Sequence, residues 1–159
     1  MILLKDIRPE EIPEYRSIFI RDYSDDLVTN HGYSNQEGLK LAEKSFTSSF
    51  PSNIPIPSDK LLCIVAKDNV VGYLWYSVNN NVAKAFICDF YIHEPHRGKG
   101  YGTVAIGLLE TILAKQSIDY LGLRVAYNNP RALELYKNIG FNISGLNMSK
   151  RINGSGTEK

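Results

Sequence analysis

The residues with the clearest chemical potential form one stretch, His96-Arg97-Gly98-Lys99-Gly100-Tyr101-Gly102-Thr103. An apolar run, Phe86 to Ile92, leads into it, and a strong helical pattern leads out. Strand, glycine loop and helix together present backbone N–H groups to an anion. The first N–H groups of a helix have no partner within the helix, and the aligned peptide dipoles place about half a positive charge there. Glycine lets a bulky phosphate approach the main chain without meeting a Cβ. The loop therefore reads as a pyrophosphate cradle.

Spacing narrows the kind of cradle. A Walker loop needs Gly-Lys followed at once by Ser or Thr, whereas Gly98-Lys99 is followed by Gly100. The dinucleotide fingerprint needs a glycine three residues after its middle one, and Thr103 stands there. What remains is Arg-x-x-Gly-x-Gly, filled by Arg97, Gly100 and Gly102.

The elements that must hold this loop follow from pattern. Ile2–Ile7 reads as a first strand, stopped by Pro9. Ile12, Tyr15 and Phe19 mark a helix that is expected to end at Asp22, Asp25 and Asp26. Ser34 and Glu37 form a capping box for a second helix with Leu39, Ala42 and Phe46 on its buried stripe. The prolines at 51, 55 and 57 mark a loop. Leu61–Ala66, Val70–Val78 and Val82–Ile92 read as three antiparallel strands, turning at Lys67-Asp68-Asn69 and Asn79-Asn80-Asn81. A helix from Thr103 carries Ala105, Leu108, Leu109, Ile112 and Leu113 on one face. Tyr120–Tyr127 reads as a strand reached by that crossover, and so parallel to its predecessor. Asn129 and Pro130 open a last helix, closed by Gly140. Phe141–Ile143 and Leu146–Ile152 read as a terminal hairpin.

The 159 residues suit one domain, expected over residues 1–152, with a flexible tail at 153–159. A 43% apolar and 22% charged composition is that of a soluble globule. A net charge of +1 gives no basis for nucleic-acid binding. No apolar run approaches the roughly 20 residues of a membrane helix, and no secretory signal opens the chain. Cys63 and Cys88 read as reduced cysteines of a cytoplasmic protein.

Two stretches, taken together, resemble one family. Asp89-Phe90-Tyr91-Ile92-His93-Glu94-Pro95-His96-Arg97-Gly98-Lys99-Gly100-Tyr101-Gly102 is similar to the fourth strand and pyrophosphate loop of the GCN5-related N-acetyltransferases. Leu123-Arg124-Val125, then Asn129-Pro130-Arg131-Ala132-Leu133-Glu134-Leu135-Tyr136, ending at Ile139-Gly140-Phe141, is similar to their fifth strand and the helix after it. The resemblance implies an α/β fold with a mixed, mostly antiparallel sheet, flanking helices and a splay between strands four and five. It implies acetyl-coenzyme A in that opening as cosubstrate, with no metal. The pantetheine would pair with main-chain groups of Phe90, Tyr91 and Ile92. The pyrophosphate would sit on N–H groups from Arg97 through Gly98, Lys99, Gly100, Tyr101 and Gly102 to Thr103, and Asn129 would touch the cofactor arm.

The implied reaction is transfer of an acetyl group to a primary amine by direct attack. Tyr136 stands at the family's general-acid position, although it also belongs to its helix's apolar stripe. A phenol, with a pKa of about 10, stays protonated at neutral pH and can donate to a thiolate. Where some relatives carry a glutamate base, this chain has Cys88. Asp89 is the neighbouring candidate, expected to point to the opposite face of a regular strand. A route through an acetyl-cysteine at Cys88 has no visible His-carboxylate support. Asp22, Asp25 and Asp26 could face a cationic acceptor, with Tyr15, Tyr23 and Tyr33 beside them, or serve as an ordinary helix end and core. The acceptor stays open among small-molecule and peptide amines. A non-catalytic acyl-coenzyme-A-binding regulatory module is the alternative reading, and a nucleotide-binding domain a third. The terminal strands leave room for a homodimer.

Overall fold

The computed structural model describes residues 1–153. The tail expected at 153–159 lies, apart from Asn153, outside the described residues. Packing divides the chain into two compact units, one of Met1–Pro13 with Ser49–Arg124, the other of Glu14–Ser48 with the chain from Val125 onward.

The first unit is a five-stranded sheet in the order β1 (Ile2–Asp6), β2 (Asp59–Ala66), β3 (Asn69–Asn79), β4 (Lys84–Ile92), β5 (Tyr120–Leu123). The first three pairings are antiparallel and β4 with β5 is parallel. The β2–β3 turn works because Lys67 and Asp68 both take positive φ, 51° and 64°, as the tight hairpin turn with the correct twist requires. At the next turn the Asn79 side chain accepts from the Asn81 N–H at 3.1 Å. Helix α3 (Tyr101–Lys115) provides the crossover. Its Ala105, Leu109 and Leu113 pack with Leu62, Ile64, Leu74 and Ile87 in one buried cluster. Each such leucine or isoleucine contributes about 1.5–3 kcal/mol on burial.

The fifth strand is shorter than its pattern. It stops at Leu123, so the parallel ladder covers only Lys84–Ile87 opposite Tyr120–Leu123. β4 runs on to Ile92 without that partner, and this is the splay.

The second unit contributes α1 (Ile12–His31, entered through a 3-10 turn at Pro9–Glu11), α2 (Asn35–Ser49) and α4 (Pro130–Asn138). α1 does not end at its aspartates. Asp22, Asp25 and Asp26 lie inside it: Asp22 pairs with Arg21 at 3.0 Å and Asp26 accepts from Asn30 at 2.6 Å. Tyr15 is fully buried with Phe19 and Phe46, so it is core. The Ser34–Glu37 capping box is present in both directions, at 3.1 and 2.8 Å. On α2 the stripe is Gly38, Ala42 and Phe46, while Leu39 is exposed. No strand forms over residues 141–152, and the terminal hairpin expected there is absent. Its pattern alternates correctly, but a strand needs a neighbour to complete its hydrogen bonds.

Candidate acetyl-transfer site

The glycine loop is shaped by its own backbone. A 3-10 turn at Glu94–His96 follows β4; there His96 N–H donates to His93 O at 2.8 Å and Arg97 N–H to Glu94 O at 3.2 Å. Gly98 and Gly100 then both adopt left-handed φ, 76° and 80°. Side chains rarely accept that conformation, which accounts for the glycines. Gly100 is the N-cap of α3 and supplies no side-chain cap. Among the described residues, no main-chain carbonyl accepts from the N–H groups of Gly98 to Thr103. They form an open row at a positive helix end, an anion-binding concavity. The row begins one residue later than expected, because the Arg97 N–H is occupied.

The Arg97 side chain is occupied as well. Its Nε donates to Ile92 O at 2.7 Å, and its guanidinium lies over the Tyr91 ring at 5.3 Å. Tyr91 in turn meets His93 edge-on at 5.3 Å. Arg97 thereby ties the loop back onto the end of β4.

The β4 edge offers fewer groups than its sequence suggested. His93 N–H donates to Val71 O at 2.8 Å, so His93 faces β3. Main-chain directions alternate along an antiparallel strand. Tyr91 therefore also faces β3, while Phe90 and Ile92 face the edge that β5 leaves open. Of the three residues expected to pair with an extended ligand, Phe90 and Ile92 turn their main-chain groups outward, and the Ile92 carbonyl is taken by Arg97.

Between Ile87 and Phe90 the strand is not regular. Tyr76 pairs with Ile87 and Trp75 with Asp89, leaving Cys88 as an extra residue in a bulge. Ile87 and Phe90, three residues apart, both pack with the α3 cluster. Cys88 and Asp89 both lie off it, so the expectation that they point to opposite faces fails. Cys88 Sγ lies 3.8 Å from Ser77 Oγ, and burial, with Asp59 and Asp89 nearby, pushes its thiol up to about 11. A thiol of that kind is neutral at physiological pH. Asp59 carried no sequence signal beyond its place at a loop end. It is nevertheless buried, accepting from Trp75 Nε1 and Ser58 Oγ at 2.8 Å each.

In the second unit, Asn129 caps α4 by accepting from Ala132 N–H at 3.1 Å. Tyr136 is buried and meets Phe141 edge-on at 5.7 Å; the Phe141 N–H closes the turn onto Tyr136 O at 2.9 Å.

The model of the acetyltransferase (GNAT) family matches residues 12–141, most of the chain. The chain belongs to the GNAT family of acetyltransferases. Two Bacillus subtilis proteins, each named an uncharacterized N-acetyltransferase, are similar over nearly their whole length. YycN is 29% identical over 95% of this chain and 99% of that protein, and YdgE 23% identical over 94% and 97%. The crystal structure of YycN matches with a TM-score of 0.87 at 28% identity, covering 96% of this chain and 99% of that one. The coenzyme-A complex of the PaiA N-acetyltransferase from Thermoplasma acidophilum shares the fold, with a TM-score of 0.70 at 16% identity over 94% of each chain. This GNAT chain is accordingly an acyltransferase, and its open mixed sheet is that of the GNAT fold. No helix among its described residues is long and apolar enough to cross a membrane.

Proposed function

We propose that this enzyme moves an acetyl group from acetyl-coenzyme A to a primary amine by direct attack. The observation that carries the reading is the open row of N–H groups from Gly98 to Thr103, standing just past the stretch of β4 that runs on beyond its ladder with β5. A pyrophosphate suits the first, and an extended amide arm suits the second, as a peptide suits a free strand edge. Main-chain groups of Phe90 would pair with that arm. A main-chain N–H at Ile92 would hold the thioester oxygen as negative charge develops on it. Asn129, with its oxygen committed to the α4 cap, would approach the arm through its amide nitrogen.

Tyr136 is proposed as the acid that protonates the departing thiolate, and Asp89 as the base that relieves the attacking amine of a proton through water. The neutral Cys88 thiol favours direct attack over an acetyl-cysteine route. The acceptor is proposed to be a small-molecule or peptide amine in the cytoplasm.

Calorimetric titration with coenzyme A, ATP and NAD, paired with a thiol-release assay over a panel of amines, tests the reading. Coenzyme A should bind at least tenfold more tightly than either nucleotide, and thiol release should require an amine. Absence of coenzyme A binding at millimolar ligand, or release indifferent to every amine, would refute it.

A further inference from the structure

We propose that Asp59 is a positioning residue for acetyl transfer: through its hydrogen bond to Trp75 it pins the bulge in β4, and so keeps Asp89 on the sheet face away from α3. The inference deepens the reading above, because it rests on Asp89 as the base.

A bulge can sit at more than one place along a strand. Here two residues of β4, Cys88 and Asp89, oppose one residue of β3, and that residue is Trp75. Side chains alternate along a strand, so the place of the extra residue decides which face its neighbours take. With the extra residue one position further along β4, Asp89 would turn toward the α3 cluster and leave the face that carries Cys88. The register of β3 with β4 must therefore be held at this point.

The β3 residues on either side of the break are held on opposite faces. Tyr76 is buried in the α3 cluster. Trp75 is buried outside that cluster. It meets Phe50 edge-on at 4.9 Å and donates its indole N–H to Asp59 at 2.8 Å. Asp59 is fixed in its turn. Its main-chain N–H donates to Ile56 O at 2.9 Å, and Ser58 Oγ donates to its carboxylate at 2.8 Å. Val78 N–H donates to Ser58 O at 2.9 Å. The contacts run without a gap from the turn before β2, through Asp59 and the indole, to the bulge.

A carboxylate is a costly way to fill a core. Among the described residues Asp59 is the one buried charged side chain. An apolar pair of similar volume would be as stable or more so. What an apolar pair lacks is direction, since packing alone tolerates several arrangements where a hydrogen bond selects one. Asp59 also lies close enough to the bulge to act, with Asp89, on the Cys88 thiol.

The test follows variants in the thiol-release assay and adds alkylation of Cys88, which needs no turnover. Trp75→Phe removes the donor. It should lower kcat at least tenfold while the KM for acetyl-coenzyme A stays within twofold. It should also lower the pH midpoint of Cys88 alkylation from about 11 by about one unit, because a loosened bulge admits water while the Asp59 charge is still present. The double variant Asp59→Leu, Trp75→Phe removes donor and acceptor together, so its urea midpoint should return toward that of the wild type. Its kcat should stay as low as that of Trp75→Phe. Asp59→Asn keeps an acceptor for the indole and should recover most of kcat. An unchanged kcat or an unchanged Cys88 midpoint in Trp75→Phe overturns the proposal. So does a double variant that regains kcat along with stability, and so does an Asp59→Asn enzyme as slow as the double variant. If Asp89→Asn keeps the wild-type pH profile, the base assignment fails instead, and the Cys88 midpoint alone then decides whether Asp59 and Trp75 pin the bulge.

Discussion

At the scale of single residues, the chemistry turns on which groups hold protons at neutral pH. Cys88 holds its own: with burial raising its pKa to about 11, only about one thiol in 10⁴ is ionised at pH 7. Cys88→Ala should therefore keep the acetyl-transfer rate within about threefold and leave both limbs of the pH profile in place. Intact-mass spectra of the wild type after incubation with acetyl-coenzyme A should show no acetylated Cys88; an acetyl adduct there would restore the covalent route. Tyr136 is the opposite case. Tyr136→Phe keeps the ring and its edge-on contact with Phe141 but removes the proton. The expected result is a fall in kcat of at least tenfold, reaching toward the roughly 10²–10⁴-fold that general acid catalysis typically contributes, with coenzyme A affinity unchanged by calorimetry. Equal turnover would leave Tyr136 a core residue. Sequence made these residues legible as types in a pattern. It could not show that a bulge puts Cys88 and Asp89 off the α3 cluster together, since a bulge is a matter of register with β3 and registers are not written in one strand.

At the scale of elements, the loop and the end of β4 form one device built around glycine in two different ways. Gly100 needs its φ of 80° and has nothing within 4 Å of where a Cβ would sit. Gly100→Ala therefore meets only backbone strain, about 1–2 kcal/mol. It should lower the unfolding free energy by about that much, and turning the N–H row should weaken coenzyme A binding several-fold or more. Gly72 is the reverse. Its backbone is ordinary, but an added Cβ would run into the Tyr91 carbonyl oxygen and the Ile92 side chain. Gly72→Ala must push β3 from β4 just where Phe90 and Ile92 present their edge. Its cost should reach the upper end of the roughly 1–3 kcal/mol seen for overpacking, measured by urea unfolding, with coenzyme A affinity lost in the fraction that still folds. The Ser34–Glu37 capping box, the β2–β3 turn and the Asn129 cap were all readable, because local side-chain chemistry sets them. The ends of α1 and β5 were not. Three aspartates do not stop a helix whose next turns bury Leu27, and β5 stops at Leu123 although the apolar run goes on, because strand length depends on a partner.

At the scale of the whole chain, the order of elements was legible and the fate of its last stretch was not. An alternating segment after Gly140 reads as a hairpin, yet it forms no strand and instead sends Arg151 back to the turn between α1 and α2. There Arg151 reaches Glu37, 114 residues earlier in the sequence, at 3.0 Å, and lies 3.5 Å from Gly32 O. Glu37 is already the partner of Ser34 in the capping box, so one carboxylate holds a helix start and a distant strand-like segment together. Arg151 first, and then the Ser34 N–H, lower its pKa from 4.5 to about 2. A folded-state pKa below the unfolded one means that the unfolded chain binds the proton more readily. The contribution of Glu37 is thus fully present above about pH 4.5 and is lost as pH falls toward 2. Glu37 is exposed and Arg151 half-buried, so the contribution is small and sensitive to salt. Glu37→Gln should be measurably less stable than the wild type at pH 6 in chemical unfolding, and the gap should narrow between about pH 4.5 and 2. Arg151→Ala should produce the same flattened acid limb, and the double variant should add little to either. A stability gap constant across that range would show that the link contributes through packing and not through charge.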